Sequence, residues 1–171
     1  VYLADGKTYD FDKVIFACHA NQALNLLEEP SADEQRLLQH FKYQKNVATV
    51  HTDESVMPKN RKTWSSWNYR IEDIGEALLS TTIYWMNSLQ QVSKKKNYFV
   101  SINAFQNSID KTKLIKEIEY EHPLFDVAAV TAQKELKVLN ATGPLYYCGS
   151  YFKYGFHEDA YKSAVELCHH L

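Results

Sequence analysis

The chain has 171 residues, with 19 Lys and Arg against 21 Asp and Glu and a formal charge of −2, so it lacks the positive field that binds nucleic acid electrostatically. Hydrophobic residues make up 45%, enough for a proper core in one or two small domains, yet no apolar run approaches the roughly twenty residues that span a bilayer and no signal peptide stands at the start. Three cysteines, Cys18, Cys148 and Cys168, leave an odd thiol without paired spacing, which predicts a reducing, cytoplasmic setting over a disulfide framework.

In chain order, residues 1–11 alternate around Asp5-Gly6, the strongest signal for a hairpin with a two-residue turn. Residues 12–20 read as a β-run entering a small-residue turn, and residues 21–27 as a helix. Ser31 with Glu34 three positions on forms a capping-box pattern ahead of Leu37, Leu38 and Phe41, predicting a helix to about Phe41. Segments 46–52, 63–71, 80–86 and 98–105 are rich in β-branched and aromatic residues and predict an antiparallel sheet. Polar turns fall at 58–62 and 92–97, where the lysine run 94–96 reads as a solvated hairpin tip. Residues 116–121 follow as another strand, His122-Pro123 as a break, and residues 128–139 as a helix carried by Ala128, Val130, Ala132, Leu136 and Leu139. The last segment is an apolar run at 145–148, then Gly149, an aromatic loop holding Gly155, and a helix. Glu158 and Asp159 open that helix, and Ala160, Tyr161, Ala164, Val165 and Cys168 recur at helical spacing.

That ending resembles the last flavin-binding segment of the FAD-dependent amine oxidases, an apolar strand, Gly-Glu or Gly-Asp, an aromatic loop and Gly-x-x-Glu-Gly-Ala. Gly155, Glu158 and Ala160 match it, with Phe156 as the aromatic; Ser150 stands where the family has an acidic residue and Asp159 where it has glycine. Residues 12–20 resemble the segment of the same flavoproteins that closes the nucleotide-binding sheet. Among relatives the chain looks most like the bacterial NAD/FAD-binding proteins of this superfamily. The five glycines, Gly6, Gly75, Gly143, Gly149 and Gly155, form no Gly-x-Gly-x-x-Gly, so the pyrophosphate-cradling first half is absent. With no initial Met, the chain reads as the C-terminal portion of a longer flavoprotein.

The resemblance implies an α+β fold: an antiparallel or mixed sheet with flanking helices at 29–139, the substrate-binding part, and pieces of an FAD-binding α/β domain at 1–28 and 140–171. It implies FAD contacts at Gly149, Ser150, Gly155, Phe156, His157 and Ala160, with the His157 N–H at the flavin and Phe156 on the substrate side of the ring. The middle sheet would roof the flavin. Trp64, Trp67, Tyr69, Tyr84, Trp85 and Phe105 are candidates for an apolar wall, with Trp67 and Tyr69 on one face and Asn87 and Gln90 as polar handles. Of these, Trp67, Tyr69, Tyr84 and Trp85, with Phe156, make up the expected substrate pocket.

The implied activity is hydride transfer from a C–H bond of an amine or apolar substrate to FAD, carried out by the full-length parent. The chain alone is expected to be inactive and without bound FAD, and its exposed former contacts to the missing half allow a homodimer. The alternative is a non-catalytic binding module on a flavoprotein-derived scaffold. Cys168-His169-His170 and Cys18-His19 lack the paired spacing of a structural zinc site. His19, His122 and His157 could each act as a base, but no Gly-x-Ser-x-Gly elbow or other motif marks a nucleophile.

Overall fold

The computed structural model describes residues 1–74 and 77–171, which leaves Gly75 outside. The elements begin with β1 (Val14–Phe16), α1 (Ala20–Leu26), α2 (Ala32–Leu38) and β2 (Lys42–His51). Next come β3 (Trp67–Ile74), β4 (Ala77–Trp85), the single turn α3 (Met86–Leu89), β5 (Phe99–Ile102) and β6 (Leu114–Leu124). The chain closes with α4 (Val127–Gln133), β7 (Leu145–Tyr147) and α5 (His157–Cys168). It divides into two compact units, residues 1–44 with 122–171, and residues 45–121. The mixed α+β class and the antiparallel pairing of β3, β4, β5 and β2 follow the sequence expectation.

In the first unit β1 and β7 pair in parallel, Val14 with Leu145 and Phe16 with Tyr147. The core holds Ala20 and Ala23 of α1, Leu37 and Leu38 of α2, Ala129 and Ala132 of α4, then Leu136, Tyr147 and Tyr151. The domain division expected at residues 28 and 140 therefore differs from the observed one. α2 and α4, assigned by sequence to the middle block, bury their apolar faces with the terminal segments. Ser31 caps α2 as expected, its hydroxyl accepting from the Glu34 N–H at 3.3 Å while Glu34 accepts from the Ser31 N–H at 2.7 Å.

Three local expectations are corrected. The Asp5-Gly6 turn is a three-residue loop: Leu3 N–H donates to Lys7 O, Gly6 N–H donates to Leu3 O, and Gly6 sits at φ +82. A type I turn closed by a left-handed glycine keeps the strand twist as well as a two-residue turn does. His122-Pro123 does not break β6, which runs to Leu124; β6 is a sheet edge, where a missing N–H disrupts no ladder. The helix expected at 128–139 splits into α4 and a 3-10 turn, Leu136–Asn140. Its buried positions are Ala129, Ala132, Leu136 and Leu139, while Val130 is exposed. Asp126 caps α4, its Oδ1 accepting from Ala129 N at 2.8 Å.

The second unit is built on the sheet ordered β3-β4-β5-β2-β6. One face is dry: Ile83 of β4 and Phe99 of β5 pack with Val56 and Met57 and with the partly buried Trp64, Trp85 and Ile109. Phe99 is fully buried, a side chain whose truncation to alanine costs about 3–5 kcal/mol.

Candidate functional site

Parallel pairing brings the two terminal segments together, so that β1 and β7 end side by side. β1 leads through Cys18-His19 into α1, and β7 leads through Gly149 toward α5. In open α/β sheets the carboxyl ends of parallel strands are where ligands bind. A Cβ on Gly149 would lie 2.7 Å from the Tyr151 ring and 3.4 Å from the Cys18 carbonyl oxygen. Gly149 thus lets its own chain approach closely, and its N–H donates to Ser163 Oγ at 2.8 Å. Ser163 in turn donates to the Ala160 carbonyl, tying β7 to α5. Sequence reasoning missed Ser163, whose only trace is a small polar residue on the buried face of α5.

Ser150 opens a short 3-10 turn, Ser150–Phe152, and its carbonyl accepts from Lys153 N–H and Gly155 N–H. Gln133 Nε2 holds the same loop through the Tyr151 and Lys153 carbonyls. Gly155 sits at φ +92, and a Cβ there would come within 2.9 Å of Phe125. Phe156 is the N-cap of α5 and is 70% exposed, His157 follows as an exposed residue, and Ala160 is half-buried. The Asp159 carboxylate accepts from Tyr154 N–H at 3.2 Å and Phe156 N–H at 3.1 Å. Asp159 therefore fastens the aromatic loop to the helix start.

Two buried polar atoms of this unit lack a partner among the described residues, the Tyr151 hydroxyl and His19 Nδ1. Native interiors rarely leave such groups unpaired. Burial pushes the Tyr151 hydroxyl pKa far above its usual range. Burial likewise raises the Cys18 and Cys148 thiols, the latter also through the neighbouring Cys168 and Cys18, so neither is poised as a nucleophile.

The middle-block candidates separate by face. Trp67, Tyr69 and Ile71 alternate along edge strand β3, and all are more than half exposed. The Trp67 and Tyr69 rings stack at 6.0 Å, and Trp67 pairs across the ladder with Tyr84. Burial, then the Tyr84 hydroxyl, raises the pKa of Tyr120 on β6, at the other edge of the sheet. Trp85 does not join them. It projects to the dry face, edge-on to Trp64 at 5.2 Å, and its Nε1 donates to Asn97. Phe105 is buried under Arg70. Asn87 is a loop anchor, its Nδ2 donating to the Ser93 and Lys96 carbonyls and its Oδ1 accepting from Tyr98 N–H.

A Ser-His-Asp grouping, unseen in the sequence, is buried in the second unit: His51 Nε2 lies 2.9 Å from Ser101 Oγ, with Asp53 two residues on. Its polarity is wrong for nucleophilic catalysis. The Asp53 backbone N–H donates to His51 Nδ1, so Nε2 carries the ring proton and donates to Ser101 instead of accepting from it. Burial lowers the His51 pKa, partly opposed by the Asp53 carboxylate. For Asp53 burial acts upward, but the N–H groups of Asp110 and Ser55 and the Lys113 ammonium hold it far below the carboxylate range. These groups are structural. Among the described residues no three metal-ligating side chains converge, and no helix is long and apolar enough to cross a membrane.

No family model matches the chain, and no curated protein is found to match it.

Proposed function

We propose that this chain is the C-terminal part of an FAD-dependent oxidoreductase of the amine oxidase type. The observation that carries the reading is the parallel β1–β7 pair, whose carboxyl ends meet where α1 begins and where the loop to α5 departs. Tyr151 Oη and His19 Nδ1, buried and without a partner among the described residues, belong to the segments that follow these strand ends. These residues fit the group in outline. Gly149, Ser150, Gly155, Phe156, His157 and Ala160 would hold FAD, which supplies a hydride acceptor when bound. The first N–H groups of α5, those of His157 and Glu158, have no intrahelical acceptors and would stabilise negative charge. Phe156 would orient substrate beside the group.

The test is the visible spectrum, with fluorescence of the denatured supernatant, of this chain and of the longer polypeptide the reading assigns it to. Near-stoichiometric flavin in the longer protein and none in the chain alone is the expected result; no flavin in either, even after adding FAD, overturns the reading.

One observation favours the alternative of a binding module. The Asp159 carboxylate at the start of α5 opposes an anionic ligand there, while Trp67 and Tyr69 present an exposed ring pair suited to docking. Saturable association of the sheet face with a protein partner, abolished by Trp67→Ala, would support that class.

A further inference from the structure

A second concave site lies wholly within the second unit. A cleft of about 790 Å³ is bordered by Thr52, Ser55, Arg61, Asn87, Lys113 and the lysines 94–96, with Glu54 as its one carboxylate among the described residues. Its charges are unequally balanced. Arg61 pairs with Glu54 at 3.3 Å, and Lys113 with the buried Asp53 at 3.1 Å. Among the described residues Lys94, Lys95 and Lys96 have no carboxylate partner. Three uncompensated cations on one rim stand out in a chain of formal charge −2.

The loop bearing them is held in place. Besides the three bonds of Asn87, Ser93 Oγ accepts from the Lys95 and Lys96 N–H groups. Asn97 accepts from Trp85 Nε1 and donates to Glu54 Oε1 at 2.6 Å. Trp85 packs against the dry face of the sheet, so the loop is fastened to the ordered part of the sheet, and the ordering entropy that a mobile lysine tip would lose on binding is largely spent on folding.

We propose that this cleft binds a soluble small molecule carrying clustered phosphate groups. Lysine ammoniums act as point charges for phosphate, and three of them stand on this rim. The volume falls within the roughly 300–1,000 Å³ of small-molecule sites. A concave recess lined by Asn, Ser and Thr is the wrong shape for a flat bilayer, and the most exposed leucine of the sheet, Leu78, lies at the opposite end of β4 from this loop. The proposal is independent of the flavin reading.

The experiment is calorimetric titration of the full chain with inorganic tripolyphosphate at low and physiological salt. One-site saturable binding that weakens with salt is expected. Replacing Lys94, Lys95 and Lys96 by Gln should weaken it about thirtyfold, on the basis of about threefold per exposed charge pair. Replacing Lys134, Lys137 and Lys162 by Gln, an equal change in net charge elsewhere, should leave it unaltered. Asn87→Ala keeps every charge but releases the loop, and should weaken binding measurably. Three results overturn the proposal: no saturation at millimolar ligand, equal weakening by the two triple variants, or binding to phosphatidate vesicles without binding to tripolyphosphate. The last would assign the lysines to a membrane surface.

Discussion

Tyr147→Phe removes one oxygen from the core of the first unit and should destabilise it by about 2 kcal/mol at neutral pH. The Tyr147 ring stacks on Phe16 at 5.2 Å, a contact phenylalanine keeps, so the substitution isolates the hydroxyl. That hydroxyl donates to the buried Glu34 carboxylate, which otherwise accepts from the Ser31 N–H. Hydrogen bonds to charged groups contribute about 1.5–3 kcal/mol, and a buried acceptor left short of a partner falls within that range. The loss should depend on pH. Burial by itself raises the Glu34 pKa, but the Tyr147 hydroxyl and the Ser31 bonds bring it below the ordinary value. Its contribution is therefore complete above the unfolded value of about 4.3 and is lost as pH falls through the lower folded value. Urea unfolding of wild type and variant at pH 7 and at about pH 3.5 measures both effects. A double-mutant cycle with Glu34→Gln apportions the coupling. The reasoning fails if the loss is the same at both pH values, or if the coupling energy is below about 0.3 kcal/mol.

Because burial depresses the His51 pKa, the unfolded chain takes up that proton first. Stability from this group is complete above about pH 6.5 and declines as pH falls below it; His51→Gln should flatten the slope of unfolding free energy between about pH 6.5 and 5. Ser101→Ala leaves the His51 Nε2–H without its acceptor and should cost about 1–3 kcal/mol by the same titration. Gly155→Ala, at φ +92 with its new methyl 2.9 Å from Phe125, should lose about 1–3 kcal/mol from backbone strain alone, read as a lowered midpoint of thermal unfolding. If α5 starts at a flavin, Asp159→Asn should tighten FAD in the longer polypeptide by up to about fivefold, the effect of one helix-terminal charge; unchanged or weaker retention after dialysis would count against that placement.

Sequence alone determined what is encoded within a few neighbouring residues. The Ser31–Glu34 box starts α2 because both capping bonds span three positions. Alternation put Trp67 and Tyr69 on one face of β3 because side chains reverse at every strand residue. Tertiary structure decided what depends on partners distant in the chain. The same alternation could not say which face is dry, and that choice sent Trp85 to the dry face beside Trp64 and left Trp67 exposed. Pro123 was tolerated only because β6 became an edge. α2 and α4 joined the terminal segments because their apolar stripes bury against Tyr147 and Tyr151. Ser163, the His51–Ser101 pair and the anchored lysine loop carry no local motif; each is set by bonds that reach across the fold, and a linear pattern does not contain such distances.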